Sequence, residues 1–175
     1  MKKLLLLAGS LLTACHQQAD PTPSGTNTFY CQIDGQDFTP HLPTVLFIGP
    51  IKALDAGRFN RKGGLTIEAE TSFDELSILL LDAHAPGTYQ LGKGTPYWKP
   101  GGSYATYTSN PALPANGVPL PSIHHYTDSA AVGTITLTRY DTLAHVAGGT
   151  FSYTAREKAT GKLVHITNGR FDVTF

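Results

Sequence analysis

From Thr28 onward, apolar and polar residues trade places at every second position over much of the chain, the period of a strand with one buried face. Phe29, Cys31 and Ile33 alternate with Tyr30 and Gln32; Asp34-Gly35 then reads as a two-residue hairpin turn, with residues 36–39 returning as a short strand. Residues 45–48 form an apolar run, and residues 53–60 suit a strand turning at 61–64. Leu65, Ile67 and Ala69 alternate with Thr66, Glu68 and Glu70. Residues 76–81 (LSILLL) are apolar almost throughout, which suits a strand buried on both faces. Pro86-Gly87 is a turn signal before a short strand at 88–91.

The C-terminal third repeats the alternation most clearly. Ile135 and Leu137 alternate with Thr134, Thr136 and Thr138; Gly148-Gly149 suggests a bulge; Phe151, Tyr153 and Ala155 continue the apolar face. Thr160-Gly161 predicts a turn with Glu157 opposite Lys162, which sets Tyr153 against Ile166, Thr154 against His165 and Ala155 against Val164. Asn168-Gly169 predicts a second, two-residue turn that places His165 opposite Asp172. Phe151, Tyr153, Ala155, Val164, Ile166, Phe171, Val173 and Phe175 then share one side, with an exposed row of Thr154, His165 and Asp172 on the other. No window longer than ten residues carries a 3.6 period, so the expected class is all-β. The body, residues 28–175, is expected to be one antiparallel β-sandwich, with a small closed or partly open β-barrel as the alternative.

The N-terminus has a different character. Met1-Lys2-Lys3 precedes an apolar stretch at 4–12, too short to span a bilayer, and Leu12-Thr13-Ala14-Cys15 follows. This order resembles a bacterial lipoprotein signal: residues 1–14 would be removed and Cys15 acylated, the multiple chains giving stable anchoring. Residues 16–27 hold no large apolar side chain, so 15–27 reads as a flexible tether. With Cys15 carrying lipid, Cys31 has no disulfide partner, and its place on an apolar face predicts a buried small hydrophobe. The full chain has 13 Lys plus Arg and 13 Asp plus Glu. Loss of Lys2 and Lys3 leaves the mature chain slightly acidic, which argues against a nucleic-acid partner.

The pieces FYCQIDGQDF, PGTYQL, GTITLTRYD, GTFSYTA and TGKLVHITNGRFDVTF together resemble a family of lipid-anchored all-β envelope proteins of Bacteroidota. That resemblance implies an outer-membrane lipoprotein facing the periplasm or the cell surface. It carries no catalytic residues to this chain.

Searching for chemistry leaves few candidates. There is no phosphate loop, no CxxC or HExxH spacing and no GxSxG elbow, so neither metal nor cofactor is expected. His124 and His125 are adjacent and point to opposite faces of an extended chain. Glu68 and Glu70 share a strand face about 7 Å apart, which distance alone permits for glycoside hydrolysis but which also describes any solvated face. Residues 92–128 hold six prolines and an aromatic cluster. Tyr97, Trp98, Tyr104 and Tyr107, with Lys99 at the rim, are the candidate ligand-binding residues, because flat rings stack on sugars and apolar surfaces. The expectation is a non-enzymatic envelope protein binding a glycan or a protein partner. The alternatives are a polysaccharide hydrolase using the paired glutamates and a purely structural component.

Overall fold

The structure, a computed structural model, describes residues 22–43, 52–58, 63–92, 102–111 and 120–175. Cys15, Tyr97, Trp98, Lys99 and the apolar run at 45–48 lie outside the described residues. The strands are β1 (Thr28–Ile33), β2 (Gln36–Phe38), β3 (Leu54–Arg58), β4 (Leu65–Glu70), β5 (Asp74–Leu80) and β6 (Gly87–Leu91). They continue with β7 (Tyr104–Ser109), β8 (Ile123–Tyr126), β9 (Gly133–Asp141), β10 (Val146–Glu157) and β11 (Leu163–Thr174). The all-β class holds. These strands join in one antiparallel sheet that curls into a half-barrel, the partly open barrel weighed beside the sandwich.

The long strand β10 organises the curl. One edge pairs with β11 along its length; the other pairs first with β9 and then, at Arg156 and Glu157, with β8. The sheet therefore forks, one branch running β9-β6 and the other β8-β7-β5-β4-β3. Apolar side chains from both branches meet across one core. Tyr153 donates to the Thr106 carbonyl at 2.9 Å, and Tyr140 to the Gly63 carbonyl at 2.7 Å, so two buried phenols tie opposite walls together. Phe29, Phe151 and Phe171 pack as a ring cluster near Cys31. Cys31 is fully buried, and desolvation pushes its thiol up to about 12, so it serves as packing.

Several local expectations hold. Asp34 and Gly35 adopt φ of 48° and 83°, the left-handed pair of a type I′ turn, and Ile33 faces Gln36. The ladder of β9 with β10 shifts at Gly148/Gly149, where a Cβ on Gly149 would lie 1.9 Å from the Thr136 carbonyl oxygen. Glu157 and Lys162 close the turn after β10.

Asn168-Gly169 differs from expectation. It is a bulge inside β11, which runs unbroken from Leu163 to Thr174. Asn168 takes φ of 53°, and its amide donates to Gln32 Oε1 at 2.7 Å. The dipeptide's preference for a hairpin loses because β11 is paired on both edges, to β10 and β1, and the Phe151 ring packs on Gly169 where a Cβ would stand. Thr167 and Asn168 both point outward, so Ile166, Gly169 and Phe171 keep the inward face. The predicted apolar face therefore survives. Thr154 still faces His165, with Nδ1 3.1 Å from its hydroxyl, but Asp172 lies seven residues farther along, about 23 Å of strand, and faces Gly148 and Thr28. The expected His165–Asp172 pair does not form. β7 is interior, between β5 and β8; the four residues of β8 (IHHY) are too few to show a period.

Candidate functional site

The four candidate aromatics do not form one described platform. Tyr104 and Tyr107 sit three apart on a strand, which sends them to opposite faces. Tyr104 points outward and is half-buried. Tyr107 is buried against the core, its hydroxyl donating to Asp74 Oδ1 at 2.7 Å and its ring 5.4 Å from that of His125. Burial and the neighbouring Asp74 carboxylate push the Tyr107 phenol up to about 12. Tyr107 is thus a core residue, a correction to its reading as a ligand-binding ring. Its neighbour His125 is buried, with neither ring nitrogen hydrogen-bonded among the described residues, and desolvation lowers its pKa. Glu68 is exposed on the outer face, opposite Asp55 and Ser77. Glu70 faces Glu75; burial first, and that second carboxylate next, raise its pKa. Neither glutamate lines a described cavity.

Among the described residues, a concavity lies on the outer face of β9, β10, β11 and β1. It is a groove of about 670 Å³, within the usual range for ligand sites. Registers across the sheet set Thr88, Thr136, Thr150, Arg170 and Tyr30 opposite one another in a row over five strands, and the last three line the groove. The Arg170 guanidinium lies 4.7 Å from the Tyr30 ring centroid. The Tyr30 hydroxyl donates to Asp37 Oδ1 at 2.6 Å, which fixes the ring and raises the pKa of the phenol. A second hollow of about 330 Å³ adjoins along β10, lined by Thr134, Ser152, Thr154, His165 and Thr167.

One wall of the groove is the segment expected to be a flexible tether. From Thr22 on, it is held to the sheet. The backbone N–H groups of Ser24, Gly25 and Thr26 all donate to the Asp172 carboxylate, at 2.9, 2.6 and 3.3 Å, and the hydroxyls of Thr26 and Ser24 add bonds at 2.9 and 3.5 Å. Gly25, at φ of 80°, permits the turn that converges these donors on one anion. Desolvation of the Asp172 carboxyl raises its pKa, but the donors together outweigh that and hold it below the ordinary carboxylate value. Arg139 donates to the Pro23 carbonyl at 2.7 Å, and Asn27 accepts from both Thr174 groups at 2.9 Å. Pro23 packs over Gly148, where a Cβ would clash at 2.2 Å.

The sequence reading missed this groove. Its parts are ordinary outward positions on strands far apart in the chain, and only the pairing of β1 with β11 brings them together.

No curated protein and no solved structure matches the chain. Residues 54–173 match a domain family described as Domain of unknown function (DUF6252). The match spans more than half of the chain, from the first residue of β3 to the penultimate residue of β11. The protein belongs to the DUF6252 family.

Proposed function

We propose that this is a non-enzymatic lipoprotein of the cell envelope, anchored in the outer membrane through acylated Cys15, that binds a glycan in the outer-face groove. The observation that carries the reading is the groove's lining. Thr28, Thr138 and Thr150 line it together with Tyr30 and Arg170, a mixture of aromatic surface, hydroxyls and one guanidinium suited to a polyhydroxylated ligand. The held segment adds a positional argument. Six residues lie between Cys15 and Thr22, a reach of at most about 25 Å of extended chain, so a lipid on Cys15 would keep the groove close to the bilayer. The order Lys2, Lys3, apolar stretch and Leu12-Thr13-Ala14-Cys15 supports the anchor.

Two measurements test the two halves of the reading. Metabolic labelling with a fatty-acid probe should mark the wild-type chain, while Cys15→Ser should remain an unlabelled, uncleaved precursor. Normal processing of that variant removes the anchor. A thermal-shift screen against neutral and acidic oligosaccharides should find ligands that stabilise the protein, by mass action on the folded state. Stabilisation must be lost in Thr150→Tyr, which fills the groove floor from an exposed position. A screen with no stabilising glycan, or one that Thr150→Tyr leaves unchanged, removes the groove from the proposal.

A further inference from the structure

We infer that the glycan taken by the outer-face groove carries an acidic group, a carboxylate or a phosphate, received by Arg170. This deepens the glycan-binding reading and rests on it. Three arginines project from β9, β10 and β11, and they are not in the same electrostatic situation. Arg139 is paired with Asp141 at 2.9 Å and Arg156 with Asp128 at 2.6 Å. Arg170 has no carboxylate within ion-pair distance among the described residues; its neighbour is the face of Tyr30.

The two acids nearest in the register are occupied elsewhere. Asp172 spends its oxygens on the N–H groups of residues 24–26 and the Thr26 hydroxyl. Asp37 accepts from Tyr30 and from Gln32. Neither acid is therefore a direct partner of Arg170, which lines the groove with Asp172 held away by the N-terminal segment. The guanidinium lies over a ring that is itself held by Asp37, and none of its N–H groups is hydrogen-bonded among the described residues. A planar fork of donors so held suits an anion with two oxygens, and the Thr150 hydroxyl beside it in the cross-strand row suits a neighbouring sugar hydroxyl. The chain has 13 Lys plus Arg against 13 Asp plus Glu, so a cation in a hydroxyl-lined groove is a local feature, not the reflection of a basic protein.

The experiment titrates the full chain by calorimetry with three probes: an oligogalacturonate, the same oligosaccharide methyl-esterified, and a sugar phosphomonoester. Methyl esterification keeps the hydroxyls and removes the charge. The acidic probe should bind at least about tenfold more tightly than its ester, the equivalent of about 1.4 kcal/mol, and more weakly as salt rises. Arg170→Gln should abolish that preference, so that acid and ester bind alike. If the phosphomonoester rather than the uronate shows the dependence on Arg170, the anion is a phosphate and the inference stands. Equal binding of acid and ester by the wild-type protein, together with no Arg170-dependent binding of the phosphomonoester, overturns it. A protein that binds neutral glycans in the groove but no acidic probe overturns the inference alone. A protein that binds no glycan overturns the glycan reading beneath it.

Discussion

Removing the Asp172 carboxylate tests how the N-terminal segment is held. Five hydrogen bonds converge on this one side chain, three from backbone N–H groups and two from the hydroxyls of Ser24 and Thr26, the Ser24 one long at 3.5 Å. A capping side chain that serves similar backbone donors at a helix start is worth about 0.5–2 kcal/mol, and a hydrogen bond to a charged group about 1.5–3 kcal/mol. Ser24 and Thr26 are exposed, so water replaces much of what Asp172→Ala removes; Gly25 is half-buried and recovers less. The expected loss is about 2 kcal/mol at neutral pH. For a domain of this size that is a fall of about 4–8 °C in melting temperature. Asp172→Asn keeps the shape but loses the charge and turns an amide toward donors, so it should fall between the two.

The pH dependence has a definite sign. The folded Asp172 carboxyl titrates below its unfolded value because the N–H donors favour the anion. Its contribution is therefore complete above the unfolded value of about 3.9 and disappears as pH falls through the lower folded value. Urea denaturation followed by circular dichroism, run for wild type and Asp172→Ala from neutral to strongly acidic pH, should show a constant gap that closes only below about pH 4. Amide exchange at residues 24–26 should speed up in the variant. A gap below about 0.3 kcal/mol at neutral pH, or one that persists unchanged into strong acid, would refute the account of Asp172 as the anchor of this segment.

Two further outcomes follow from the core. Gly149→Ala puts a Cβ 1.9 Å from the Thr136 carbonyl oxygen, on backbone that has little room to retreat, and should cost about 3 kcal/mol in urea unfolding; a cost near zero would mean that the bulge rearranges freely. His125 is buried and its protonation is disfavoured by desolvation, so wild-type stability should fall as pH drops through the unfolded imidazole value of about 6.5. His125→Phe should remove that dependence and leave stability at neutral pH equal or higher, because no hydrogen bond to the ring is lost; a pH profile identical in the two proteins would contradict the burial.

Strand positions and their inward faces were legible because each depends on residues close in sequence. Alternation in TFYCQI, GTITLTRYD and the segments around Phe151, Val164 and Phe171 sets which side chains are buried. Asp34-Gly35 carries its own turn, since both residues tolerate left-handed torsions and nothing distant contests them. Asn168-Gly169 has the same local chemistry and the opposite outcome. There, pairing on both edges of β11 and the Phe151 ring over Gly169 outweigh a turn preference, and the bulge keeps the apolar parity that a slip would destroy. Tyr107 illustrates the same division. Its aromatic character was visible in the sequence, but the strand period of β7 and the Asp74 carboxylate made it part of the core.

The groove belonged wholly to the tertiary level. Tyr30 and Arg170 lie 140 residues apart, as Cα partners of β1 and β11, and Asp172 meets residues 24–26 only because β11 runs straight on through its bulge. Local pattern decides which face of a strand is wet. It cannot decide which wet faces are neighbours, because strand order follows from long-range packing around one core, and a polar side chain leaves no periodic mark of the partner it will find.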